Sequence, residues 1–276
     1  MLLSKNVALG KPLKLSPWRK VAIGTWRSAG DPSVYGTLEA DVGPALAYLE
    51  KLRTETDVKL TMTHFIGRAC AEVFRRHPEI NCVLRFGRLY PRKTIDIFFQ
   101  VANDSRGNDL SGLTIREADT KSIATIAREM QDLVKNIREK GDPGFKRMKS
   151  LMNLLPGFVA WPLVNITGFI MYTCNLWSSL LGMPKDPFGS AMVTNIGSLG
   201  LDMAYAPLVP YSRTPLLIAV GAVREQPIAR DGRITTAMIA KLCVTFDHRL
   251  IDGVHASHMI NTLKGILAEP AKEIGS

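Results

Sequence analysis

Hydrophobic positions along the chain recur with two periods, each predicting a different element. Over 61–76, Met62, Phe65, Ile66, Ala69, Val73 and Phe74 return at three and four residues, the spacing of one helical face. Ile123, Ile126, Met130, Leu133 and Ile137 repeat the pattern over 120–139, and Gly141 and Pro143 end that helix. Further helices are predicted over 44–53 and over 253–268, the latter carrying Met259, Ile260, Leu263, Ile266 and Leu267. Alternation of period two marks strands over 33–42, over 95–101 and over 238–247, where Met238, Ala240, Leu242, Val244 and Phe246 share a face. The nearly unbroken apolar run 215–223 reads as a central strand. NCVLRF-GR-LYPR reads as a hairpin, and 226–232 as the turn of another. Strands and helices mix without strict alternation, so the expected class is α/β with a mixed β-sheet and flanking helices.

One segment departs from both periods. From 150 to 184 there is no charged side chain, while Lys135, Arg138, Lys140, Lys146, Arg147 and Lys149 precede it against only Glu139 and Asp142. Its longest proline-free stretch, 163–183, has the length of a membrane span but contains Asn165, Thr167, Thr173, Asn175, Ser178 and Ser179. On one helix, Leu163, Ile166, Phe169, Ile170, Trp177, Leu180 and Leu181 would share a face. The expectation is an apolar helical insertion over 150–184. It either covers its own core or lines an apolar pocket, makes peripheral membrane contact, or spans a bilayer.

Composition narrows the class. With 276 residues, 46% hydrophobic and 22% charged, the chain can bury a sizeable core. Its four cysteines lie far apart with no CxxC pair, so neither a disulfide scaffold nor a zinc ribbon is expected. The first residues lack an apolar core of signal-peptide length, which makes cytoplasm the expected location, with membrane association through 150–184 as the open alternative. The net charge of +10 suits phosphates, acidic proteins or anionic membranes. Zinc-finger spacing and RNP-like aromatics are missing, so no nucleic acid is expected.

Walker, GxGxxG and HExxH motifs are missing, and Ser198 in IGSLG lacks the glycine two positions earlier that a nucleophile elbow requires. The strongest local signal is FDHRLIDG at 246–253. His248 continues the inward alternation of Leu242, Val244 and Phe246, and Asp252 is placed to cap the final helix. A shielded imidazole held by the backbone suits a general base acting on a thiol or hydroxyl near neutral pH. Read alone, the pair is equally a buried structural histidine followed by a capping aspartate. His255 and His258 lack a third ligand at metal spacing, so no metal is expected. His64 reads as a helix-surface residue and His77 as a helix-end one; Cys70 and Cys243 read as buried thiols.

In context the octapeptide resembles the active-site signature of dihydrolipoyl acyltransferases, the core components of 2-oxo acid dehydrogenase complexes, related in fold to chloramphenicol acetyltransferase. PLLIAVGAVREQPIARDGRI, VTNIGSLG, TKSIATIAREMQDLV, HPEINCVLRFGRLY and SPWRKVAIGTW extend the likeness over roughly 15–149 and 186–270, outside the insertion. The resemblance implies a chloramphenicol acetyltransferase-like fold and one acyltransferase catalytic domain over 1–276, interrupted by 150–184. It implies that His248 is the general base that deprotonates coenzyme A or dihydrolipoamide. Thr194 falls where the family carries the hydroxyl that binds the oxyanion, with Asn195 beside it either helping or turning the chain. Asp252, followed by Gly253, matches the aspartate that holds local geometry through an arginine, here Arg19.

The implied activity is acyl transfer between coenzyme A and a thiol, using acyl-CoA as substrate. Family members usually carry lipoyl and subunit-binding domains ahead of the catalytic one; this chain shows neither, so the expected acceptor is either a lipoyl group on a separate lipoyl-bearing protein or another acceptor. The family also implies a homotrimer whose site is shared between chains. The polar ending AEPAKEIGS lacks the apolar knob that joins trimers into cages. The alternative function is a non-catalytic trimeric scaffold or membrane-associated docking module of the same fold.

Overall fold

The computed structural model describes residues 4–15, 32–102, 110–140, 157–178 and 185–275. Its longest strand, β9 (Arg233–Asp247), organises the sheet. On one side β9 pairs antiparallel with β1 (Ser33–Asp41), and on the other with β7 (Leu216–Val220) and then β8 (Arg224–Arg230). β6 (Ala191–Asn195) runs parallel to β7, β4 (Ile97–Ala102) parallel to β6, and β5 (Leu110–Ile115) antiparallel to β4. The order β1-β9-β7-β6-β4-β5, with β8 alongside β9, is the mixed sheet that the pattern predicts. β2 (Cys82–Arg85) and β3 (Arg88–Pro91) form the separate hairpin. All five residues of β7 are buried, as a strand covered on both faces requires.

Helices α1 (Gly43–Thr56), α2 (Met62–Arg76), α3 (Ile123–Lys140), α5 (Gly253–Ala268) and α6 (Pro270–Ile274) share one core with the strands. α2 lies deepest: every residue from Met62 to Phe74 except Thr63 is buried, including the ion pair of Arg68 with Glu72. Met192, Ile196, Leu217, Ala219 and Cys243 form a smaller cluster on the opposite face, packed against Phe98, Phe188 and the 204–208 loop.

Three expectations are corrected and one strand is added. Residues 224–230 are strand β8, and the turn is Asp231–Gly232, both with positive φ. Strand β5 went unpredicted, because its apolar positions 110, 113 and 115 do not keep one parity; Gly112 is required there, since a Cβ would lie 1.7 Å from the Phe98 ring. His64 is buried inside the fold: Thr61 N donates to its Nδ1 at 3.1 Å in a capping box, and burial pulls its pKa down to about 4. Finally, the amphipathic helix expected over 163–183 is α4 (Gly157–Gly168) followed by a π-helical turn, Phe169–Thr173. Ile166, Phe169 and Ile170 face solvent there, whereas Met171 and Tyr172 are buried against Val7 and Val83. Trp177 lies beyond the helix, paired with Ser4, and Leu180 and Leu181 fall outside the described residues. Among the described residues, no helix is long and apolar enough to cross a membrane.

Candidate active site

The end of β9 holds the histidine turn. Asp247 N donates to Pro215 O at 2.9 Å and His248 N to Pro32 O at 2.8 Å, so the chain is gripped on both sides as the strand stops. The Asp247 carbonyl accepts from Leu250 N and Ile251 N, each at 2.9 Å. Its carboxylate accepts from Arg249 N at 2.9 Å, Nε at 3.0 Å and Nη2 at 2.6 Å. This buried Asp247–Arg249 pair folds the turn back on itself. Sequence reasoning assigned it no role, although the D-x-R spacing carries it.

His248 is half-buried, and its Nδ1 lies 2.9 Å from the Ile251 carbonyl oxygen. A carbonyl only accepts, so Nδ1 carries the proton and donates. In the neutral ring the basic lone pair is then on Nε2. Sequence reasoning expected a backbone-held imidazole on the inward face. The backbone holds it, but in the turn after the strand and less deeply than that face would place it.

Asp252 begins α5. Its Oδ1 accepts from Val254 N at 3.1 Å and His255 N at 3.0 Å, and His255 Nδ1 lies 2.7 Å away. The N-cap role read from sequence is therefore present. Arg19, its implied partner, lies outside the described residues. Gly253 is exposed with open space where a Cβ would sit, and nothing within one chain explains a glycine there.

Thr194 is half-buried near the end of β6, on the face of Met192 and Ile196. Asn195 turns the chain: its Oδ1 accepts from Ser198 N at 3.0 Å, and its Nδ2 donates to Thr63 Oγ1 at 2.8 Å, tying β6 to α2. The 196–202 turn packs directly on the end of β7, where a Cβ on Gly221 would lie 2.2 Å from Asp202 O, and one on Gly197 2.7 Å from the Ala222 backbone. These contacts require the small residues of IGSLG and VGA.

The fold does not bring Thr194 and His248 together within one chain. Thr194 lies opposite Ala219, and Ala219 opposite Cys243, five residues before His248. At strand spacing this separates them by roughly 16 Å along β9 and roughly 10 Å across two strands.

The remaining candidates lie apart from the histidine turn. Cys70 is fully buried and its thiol is pushed up to about 12 by burial, and Cys243 is buried in the smaller cluster. His77 caps α2 and sits 2.9 Å from Thr262 Oγ1. Among the described residues, no three His, Cys, Asp or Glu side chains cluster as a metal site.

The mixed sheet with its flanking helices has the chloramphenicol acetyltransferase fold: chloramphenicol acetyltransferase superposes with a TM-score of 0.53 at 16% identity, covering 93% of this chain and 100% of that one. Within that class the chain belongs to the 2-oxoacid dehydrogenases acyltransferase (catalytic domain) family, matched over residues 11–141 and 187–274. It is 37% identical over 242 residues to the dihydrolipoyllysine-residue acetyltransferase component of the pyruvate dehydrogenase complex of Bacillus subtilis, covering 84% of this chain and 44% of that protein. The acetyltransferase component of the acetoin cleaving system of the same organism is 25% identical over 240 residues, covering 85% and 49%. The chain thus spans about half the length of these relatives. Among solved structures, dihydrolipoamide acetyltransferase of Azotobacter vinelandii superposes with a TM-score of 0.65 at 21% identity, covering 96% of this chain and 94% of that one. The cubic core of the pyruvate dehydrogenase multienzyme complex gives 0.64 at 21%, with the same coverage.

Proposed function

We propose that this chain holds one catalytic domain, interrupted over 150–184, that moves an acyl group between coenzyme A and a thiol acceptor, a dihydrolipoyl group or another thiol. The observation that carries this reading is the donation from His248 Nδ1 to the Ile251 carbonyl, which puts the basic lone pair on Nε2. Nε2 takes the proton from the attacking thiol; the thiolate sulfur bonds to the thioester carbonyl carbon, and its oxygen becomes an oxyanion. Collapse expels the leaving thiolate, which recovers the proton from Nε2, so atoms and charge balance.

A hydroxyl aimed at the oxyanion supplies about 3–4 kcal/mol of barrier reduction. Thr194 is the candidate, and because the ladder keeps it far from His248 in one chain, this reading takes it from a second copy. The proposed assembly is therefore a homotrimer with three shared sites, a closed arrangement that satisfies such an interface in every copy. The cubic core among the structural relatives supports oligomerisation. Asp252 acts through geometry: it fixes the start of α5 directly after the histidine turn, with Arg19 as its partner by resemblance. The Azotobacter enzyme was studied for a serine, a histidine and an asparagine in its catalytic mechanism, the last two four positions apart as are His248 and Asp252. On this reading Thr194 and Asp252 take the parts of that serine and asparagine.

The test is transfer from acetyl-CoA to free dihydrolipoamide. His248→Ala should lower turnover by about 10²–10⁴-fold with melting unchanged. Wild-type protein without turnover on acyl-CoA substrates of several chain lengths would instead favour the scaffold.

A further inference from the structure

Three segments pack into a side lobe that uses none of the residues assigned to catalysis. Ser4 pairs with Trp177, Leu9 with Arg92, Asn6 Nδ2 donates to Met171 O at 2.9 Å, and Arg85 Nε donates to Thr173 O at 2.8 Å. Val7, Val83, Met171 and Tyr172 form its own buried cluster. The lobe therefore consists of residues 4–15, the β2–β3 hairpin with its flank to 93, and 157–178.

Its surface is unusual in two independent respects. The first is apolar exposure. Phe86 at the hairpin tip is 67% exposed, Ile166 57%, Phe169 48% and Ile170 40%, and the Phe86 and Phe169 rings meet edge to face at 6.3 Å. Ile166, Phe169 and Ile170 recur at three and four residues, so they form one face of the α4 segment. The second is charge. These three segments contain no acidic residue, yet Arg85 and Arg88 flank Phe86, and Lys5, Lys11, Lys14 and Lys93 are exposed on them. Arg92 is neutralised by its buried pair with Asp186.

Exposed aromatic and aliphatic side chains on segments that carry exposed cations and no carboxylate of their own match the interface of a bilayer with an anionic surface: the apolar groups enter the headgroup boundary and the cations meet phosphates. We propose that this lobe docks the protein on an anionic phospholipid surface, peripherally and without a span. A two-fold contact of this lobe with the same lobe of a second copy is the weaker occupant, because it would bring these cations together with no carboxylate to meet them.

Vesicle co-sedimentation tests this with the 276-residue chain. Binding is expected to vesicles of phosphatidylcholine with phosphatidylglycerol, weak binding to phosphatidylcholine alone, and a decline as salt rises. The double variant Phe86→Ser/Phe169→Ser should bind at least about tenfold more weakly. Arg88→Gln, an exposed change that leaves packing alone, should bind about fivefold more weakly. Ile234→Ser, which removes an exposed isoleucine on β9 outside the lobe, should bind as wild type does. The proposal is overturned if mixed vesicles do not retain the wild type, or if neither lobe variant weakens retention. It is also overturned if the double variant changes only the oligomer size in mass photometry, which would make the patch a contact between copies.

Discussion

Replacing Glu72 with glutamine preserves the shape of the deepest ion cluster and removes its charge. Glu72 is 1% exposed on α2, and three guanidinium groups converge on it. Arg68 Nη1 lies 3.2 Å away, Arg75 Nε and Nη2 lie at 3.0 and 2.5 Å, and Arg76 Nε at 2.7 Å. Arg76 also reaches the Glu273 carboxylate at 2.7 Å, tying α2 to α6. Burial alone would raise the Glu72 pKa, but the hydrogen bonds from Arg75, Arg76 and Arg68 outweigh it and hold the carboxyl down at about 2. Against an ordinary value of about 4.5 in the unfolded chain, that difference contributes on the order of 3 kcal/mol. Breaking a buried pair from one side costs a similar amount, about 3–5 kcal/mol, because Arg68 stays buried without its carboxylate. Glu72→Gln should therefore lower Tm at neutral pH by about 6–12 °C. The sign of the pH dependence follows from which state binds the proton first. The unfolded chain does, so the contribution is complete above about pH 5 and disappears as pH falls toward about 2. Calorimetric melts of both proteins between neutral pH and about pH 3 read this directly. Equal melting at neutral pH, or a gap that stays constant into acid, would refute the reasoning.

His64 should remain neutral down to about pH 4, so wild-type stability should fall as pH drops from about 6.5 toward 4, where only the unfolded chain takes up the proton. His64→Gln should flatten that slope in chemical-denaturation curves. Asp252→Ala removes an N-cap that accepts from two backbone amides and should cost about 1 kcal/mol, read as a Tm decrease of about 2–4 °C. Asp252→Asn keeps the capping oxygen and should melt close to wild type; its effect on turnover then isolates the charge.

Elements with one buried face were legible because burial imposes a period. The β9 residues facing the helices, the α2 and α3 faces and the buried run of β7 all follow it. β8 escaped notice because five of its seven residues are exposed, so no face is selected and its polar stretch reads as a turn. His64 was misplaced because a histidine completes the capping box with Thr61, where the familiar signature has glutamate or glutamine. In the site, Asp252 and the backbone-held His248 are local features that eight residues encode. The distance between Thr194 and His248 follows from strand order, which pairs residues far apart in sequence, and no local pattern carries it.

That distance makes subunit complementation the most direct test of the shared site. Thr194→Ala and His248→Ala proteins should each be nearly inactive alone, the former by about 10²–10³-fold. Unfolded together in equal amounts and refolded, they form mixed oligomers. Each interface then draws its histidine and its threonine independently, so about a quarter of the sites hold both intact and about a quarter of wild-type activity should return. Activity that stays at the level of the separate variants, with mixed oligomers demonstrated by mass spectrometry, would contradict the account.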